Sequence, residues 1–185
     1  MTRTSKSRGI RPDYCFRRIL DIKPEWLAER GIKGLLLDID NTITRWEHHH
    51  VPPEEMGWLA QICAAGITCR LLSNGLRRKK VAVAEQTGLE HVSGMFVKPF
   101  TQAFRQGLED LALDPAEVMM IGDSVITDIY AANHVGIWTA LVDPLSPVDF
   151  IGSKFYRLVE KLLCLRHPVH AAGDYRHAHR EGRPG

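Results

Sequence analysis

The chain has 185 residues, which suits one domain or one domain with tails. Its 44% hydrophobic and 25% charged residues are ordinary for a globular protein with a sizeable core. The net charge of +2 conceals an acidic body between two basic arms: residues 1–33 sum to +5, 34–153 to −7 and 154–185 to +4. Such arms either solubilise the chain or favour anionic partners, membrane lipid or nucleic acid. The basic, hydroxyl-rich start has no apolar stretch behind it, which argues against a secretory signal, and no window approaches a membrane span. Cys15, Cys63, Cys69 and Cys164 form no CxxC pair and read as small core residues of a reducing compartment. The expectation is a cytoplasmic protein whose membrane contact, where there is one, is peripheral at the inner face.

In chain order, residues 1–12 read as a disordered basic arm. Tyr14 to Leu20 is a short basic-apolar segment in which Phe16, Ile19 and Leu20 can share a helical face. Pro24 suits a first helical position, with a stop at Gly31. The run Leu35-Leu36-Leu37 is the first strand and ends in two carboxylates, Asp38 and Asp40. A polar loop through His50 follows. Pro52-Pro53-Glu54-Glu55 then opens a helix with Met56, Leu59, Ala60 and Cys63 inward. Ile67 to Leu72 is a second strand, closed by Ser73-Asn74-Gly75, and a helix covers Arg78 to Thr87. Met95-Phe96-Val97 is a third strand before Lys98-Pro99, and Thr101 can cap the next helix. Val118 to Ile121 is a fourth strand, ended by Gly122-Asp123-Ser124. A helix from Thr127 to His134 and a fifth strand, Ile137 to Val142, come next. Phe155 to Leu165 is a last amphipathic helix, and 166–185 is a His/Arg-rich disordered tail, leaving 13–165 as one domain.

Alternating strands and helices predict an α/β fold, a mostly parallel five-stranded sheet with helices on both faces. Asp38, Ser73, Lys98 and Asp123 then converge on one edge of it. Carboxylates at Asp38, Asp40, Asp123 and Asp128 would repel in one cleft unless a cation sat among them. All-oxygen ligands without His or Cys point to Mg²⁺. A cation with Lys98 and Ser73 nearby suits a phosphoryl group, which is transferred mainly by positioning and charge neutralisation. For each residue alone, a turn or cap role is the better reading; the ordered set is what favours chemistry.

The motifs DIDNT, SN, KP and GDSVITD, in this order and spacing, resemble the haloacid-dehalogenase-like (HAD) phosphatase superfamily over about Gly31 to Asp143. The lead-in Ile22-Lys23-Pro24-Glu25, the approach Arg30 to Gly34 and Ala131-Ala132-Asn133 before Gly136 resemble its YqeG-type IIIA branch. That branch is similar to mitochondrial phosphatidylglycerophosphate phosphatases. The resemblance implies a capless Rossmann-like fold and a set of roles. Asp38 would be the nucleophile that carries the phosphoryl group. Asp40 would be the acid and base, and would also offer Mg²⁺ its backbone carbonyl. Lys98 would neutralise charge, Ser73 would hold a phosphoryl oxygen, and Asp123 and Asp128 would complete the metal site. Asn74, Arg77 and Arg78 adjoin the Ser73 turn as substrate-binding candidates, the Arg77-Arg78-Lys79-Lys80 run as a landing strip for an anionic head group.

The implied reaction is Mg²⁺-dependent phosphomonoester hydrolysis, phosphatidylglycerophosphate to phosphatidylglycerol leading. A soluble phosphatase for nucleotide, sugar or protein phosphate is one alternative. An RNA- or ribosome-associated binding module using the basic arms is another. His48-His49-His50 reads as an exposed loop rather than a metal site, and Trp46 and Trp58 as packing rather than as lining of the mouth.

Overall fold

In the computed structural model, which describes residues 9–94 and 96–146, the apolar runs become five parallel strands. These are β1 (Tyr14–Phe16), β2 (Gly34–Leu37), β3 (Thr68–Leu71), β4 (Val118–Gly122) and β5 (Trp138–Val142). Their order is β1-β5-β4-β2-β3, and every pairing is parallel. Helices α1 (Pro24–Ala28), α2 (Pro53–Ala64), α3 (Arg77–Thr87), α4 (Thr101–Leu111) and α5 (Ala131–His134) lie between them. A π-helical stretch, Val125–Tyr130, runs directly into α5.

β2 and β4 are buried at every position, because helices cover both faces of the sheet. Side chains alternate across a strand. Leu35, Leu37, Met119 and Ile121 therefore join one core with Leu27, Trp58, Ile62 and Val83, from α1, α2 and α3. Leu36 and Met120 join the other core with Phe104, Ala131 and Ala132, from α4 and α5. The result is the expected three-layer α/β architecture.

Some expected elements differ. Tyr14 to Leu20 is not one helical segment: Tyr14–Phe16 is an edge strand beside β5, and Ile19–Asp21 is a single 3₁₀ turn. The period-two burial decides this. Tyr14 and Phe16 point into one core, where both rings meet Trp26 edge-on at 4.7 and 5.2 Å between centroids. A polar clasp fixes the edge: Asp13 Oδ2 accepts from the Thr139 amide (3.0 Å) and hydroxyl (3.1 Å). Asn133 donates to the Gly9 and Arg11 carbonyls at 2.9 and 2.8 Å.

The strand expected at Met95-Phe96-Val97 does not form over its described residues. Phe96 and Val97 lie in an exposed loop, and the segment running along the β3 edge is Glu90 to Val92, through one bridge between Leu71 and His91. On α2 the buried face is Glu55, Trp58, Leu59 and Ile62, one position round from the expected one, so that Cys63 is exposed. The expected helix Phe155 to Leu165 and the tail lie outside the described residues. No helix among the described residues is long and apolar enough to cross a membrane.

The chain passes from β2 to β3 on one side, then back across to β4 on the other. Such a reversal opens a crevice outside the carboxyl ends of the two strands that flank it, here β2 and β4.

Candidate active site

Register brings the motifs together. Leu37 is paired with Ile121 on one side and Leu71 on the other, so Asp38, Gly122 and Leu72 leave the sheet side by side. The Asp38 amide donates to the Ile121 carbonyl at 3.0 Å. Beyond it the chain turns through Asn41, at φ 61°, a left-handed conformation that Asn tolerates. The turn brings Thr42 back, and its hydroxyl donates to Asp38 Oδ2 at 3.2 Å.

Asp38, Asp123 and Asp128 are all buried and each offers an oxygen, the three atoms lying within 4.8 Å of one another. Lys98, also buried, bridges two of them: its Nζ donates to Asp38 Oδ1 at 2.5 Å and to Asp128 Oδ1 at 2.6 Å. The other oxygen of Asp128 accepts from the Ser124 amide at 3.1 Å. A Cβ on Gly122 would collide with the Asp128 carboxylate, so a glycine at this strand end lets the carboxylate fold over it.

Burial pushes the Asp38 carboxyl well above the usual carboxylate range. Lys98 opposes this, and Asp128, Asp123 and Asp40 add to it. For Lys98, burial disfavours the ammonium, but Asp128 and Asp38 outweigh it and hold the amine above its ordinary value. Three carboxylates against one ammonium leave a formal surplus of two negative charges. This all-oxygen donor set, with its elevated carboxyl, fits a hard divalent cation.

Asp40 is held apart by a different cation. Lys79 Nζ forms an ion pair with Asp40, 2.6 Å from its Oδ1, and donates to the Arg45 and Trp46 carbonyls at 2.8 and 3.1 Å. The Ser73 hydroxyl donates to Asp40 Oδ2 at 3.3 Å. A Cβ on Gly75 would lie 2.5 Å from that same oxygen, so the glycine after Ser73-Asn74 leaves room for the carboxylate. Two carboxylates one residue apart thus have separate partners, Lys98 for Asp38 and Lys79 for Asp40.

The structure therefore gathers Asp38, Asp123, Asp128 and Lys98 in one cluster, with Asp40 and Ser73 beside it. The Asn74 side chain links two loops, donating to the Lys98 carbonyl and accepting from the Lys98 amide, both at 2.7 Å. Arg77 and Arg78 are exposed on the first turn of α3. Lys79 is not part of a surface strip: it is only 4% exposed and shares the inner face of α3 with Val83. Its ion pair with Asp40 was missed in the sequence, although a lysine four residues from a buried valine was the available signal. Trp58 packs internally, its indole donating to the Ile22 carbonyl at 2.7 Å, and His48, His49 and His50 form an exposed loop.

Residues 96–144 match the HAD-hydrolase-like family model. The chain is 31% identical over 150 residues to the protein named "Probable phosphatase YqeG" of Bacillus subtilis, an alignment covering 81% of this chain and 87% of that protein. Among solved structures, a hypothetical protein from Xanthomonas campestris superimposes with a TM-score of 0.50 at 18% identity, over 68% of this chain and 72% of that one. An uncharacterized protein from Listeria monocytogenes gives 0.48 at 17%, over 72% and 98%. With four ordered motifs carried to one sheet edge and this level of identity to the Bacillus protein, the chain belongs to the YqeG family of HAD-type phosphatases.

Proposed function

We propose that this phosphatase hydrolyses phosphomonoesters through an aspartyl-phosphate on Asp38, with Mg²⁺ as its cation and phosphatidylglycerophosphate as its leading substrate. The observation that carries the mechanism is the gathering of Asp38, Lys98, Asp123 and Asp128 at one sheet edge, with Asp40 and Ser73 beside them. With Asp40 entering as the neutral acid, an Asp38 oxygen attacks phosphorus, the phosphorus–ester oxygen bond breaks, and the leaving alkoxide takes the Asp40 proton. The Asp40 carboxylate then removes a proton from water as that water attacks the same phosphorus. The bond to Asp38 breaks, inorganic phosphate leaves, and Asp40 is protonated again. Lys98 holds Asp38 in place and offsets charge on the phosphoryl group, and Ser73 and Asn74 border that group. The exposed Arg77 and Arg78 meet the anionic remainder of the substrate. Residues 13–165 serve as the catalytic domain, with 1–12 and 166–185 as arms, at the cytoplasmic face of a membrane.

Asp38, Asp123 and Asp128, with the backbone carbonyl of Asp40, would hold Mg²⁺. Bound there, the ion would neutralise developing charge on phosphoryl oxygens. Its fit has a readout apart from turnover. Mg²⁺ at about 100 times its dissociation constant stabilises a folded protein by about 2.7 kcal/mol. For a chain of this size that raises Tm by about 5–10 °C. Asp123→Asn is expected to lose most of that rise in a thermal melt; an undiminished rise would place the ion elsewhere.

Lys79 fixes the orientation of Asp40 and is a positioning residue. Lys79→Met is expected to lower the single-turnover rate of the first step on alkyl phosphates about tenfold with KM within about twofold, and to slow that first step on p-nitrophenyl phosphate less. Equal losses on both substrates would deny the link to the acid. The substrate itself is tested by phosphate release from a panel of phosphatidylglycerophosphate, nucleotide, sugar and protein phosphates, with and without Mg²⁺. Turnover of the lipid well below that of a soluble ester would remove it from the leading place.

A further inference from the structure

Four large apolar side chains stand exposed at the sheet edge that holds Asp38: Leu76 (70%), Phe100 (62%), Phe96 (50%) and Val97 (47%). They come from two loops that the site itself joins. Leu76 follows Ser73-Asn74-Gly75 and precedes α3, while Phe96, Val97 and Phe100 flank Lys98 and precede α4. The paired hydrogen bonds between the Asn74 amide and the Lys98 backbone hold the loops together, so the two loops carry these side chains as a rim on either side of one junction beside the carboxylate cluster. A single exposed apolar residue needs no explanation, but four on two joined loops at the mouth of a site mark a contact surface. Arg77 and Arg78 adjoin this rim as exposed cations on the turn after Leu76.

We infer that this rim is a docking surface for an anionic lipid bilayer, which presents the phosphomonoester to Asp38 directly at the membrane plane. The inference rests on the lipid-borne substrate reading and adds how that substrate is reached. Apolar side chains that enter the headgroup boundary, with arginines level with anionic headgroups, are the pairing that an interfacial protein requires. A second copy of the chain would bring Arg77 and Arg78 against their own kind or against another face; an anionic bilayer complements both the apolar and the cationic parts at once.

The test is co-sedimentation of the full chain with vesicles of phosphatidylcholine, with or without phosphatidylglycerol, and with no phosphatidylglycerophosphate present. Binding is expected on the anionic vesicles and not on the neutral ones. The double variant L76S/F100S is expected to bind about tenfold more weakly, while its hydrolysis of soluble p-nitrophenyl phosphate stays within about twofold of wild type. That retained turnover shows that the variant is folded, and F96S alone provides a milder second case. Absent binding by the wild type, or equal binding by the double variant, overturns the docking surface. So does a wild-type dimer in sedimentation velocity that the double variant turns into a monomer, since the rim would then bind a second copy. Adding phosphatidylglycerophosphate to the vesicles separates the two ideas: binding without hydrolysis keeps the surface and removes the substrate.

Discussion

Asp38→Asn is expected to reduce phosphomonoester hydrolysis on the order of 10⁴-fold or more, the scale on which loss of a nucleophile is felt. The same variant, freed of divalent ions, is expected to melt higher than wild type. The sign follows from the raised carboxyl. In the unfolded chain Asp38 ionises near its ordinary value; in the fold, burial and the neighbouring carboxylates hold it well above that. As pH rises through the unfolded value towards the folded one, the unfolded state loses its proton first and stability falls. At neutral pH the ion-free fold therefore carries a penalty that Asn removes. Lys98 keeps Asp128 as a partner at 2.6 Å, so the substitution leaves no bare ammonium. A variant that is inactive because it has unfolded would melt lower, and that outcome would sever activity loss from nucleophile loss.

Asp40→Asn should give a pattern that depends on the leaving group. On alkyl phosphates, which need a proton to leave, the expected loss is about 10²- to 10⁴-fold. On p-nitrophenyl phosphate the first step proceeds without that proton, and the second step, which needs Asp40 as base, becomes limiting. Stopped-flow absorbance should then show a burst of nitrophenol followed by slow turnover. A uniform loss with no burst would assign Asp40 to holding the site together instead. Its partners make the acid–base role testable in isolation, because Lys79, Ser73 and Gly75 surround its carboxylate while Lys98 belongs to Asp38.

The contrast between these two aspartates shows what was legible in the sequence. Asp38, Ser73, Lys98 and Asp123 end apolar runs or abut turn residues, and in a parallel sheet strand ends share an edge. The convergence of Asp38, Ser73 and Asp123 followed from the order of elements alone, whereas Lys98 reaches the edge from a loop where a strand was expected. Lys79 did not, because the run Arg77-Arg78-Lys79-Lys80 reads as four equivalent surface charges until the helix phase assigns one of them to the buried side. The edge elements were the least legible. Tyr14–Phe16 is too short for periodicity to tell a strand from a helical turn, and its pairing with β5 rests on Asp13, Thr139 and Asn133, contacts across more than 120 residues. Phe96 and Val97 have strand-forming side chains, yet β3 offers its edge to Glu90 and Val92 instead. Local propensity there was overruled by tertiary pairing, and this is what leaves the two side chains exposed beside Lys98.

The covalent intermediate is the claim on which the mechanism depends most. Mixing the Mg²⁺-loaded enzyme with p-nitrophenyl phosphate, quenching in acid within the first turnover and mapping peptides by mass should reveal one phosphoryl group on the peptide that contains Asp38. Asp40→Asn should accumulate more of it and Asp38→Asn none. Release of phosphate at the wild-type rate with no phosphoryl group on that peptide, or with the group on another residue, would contradict the account.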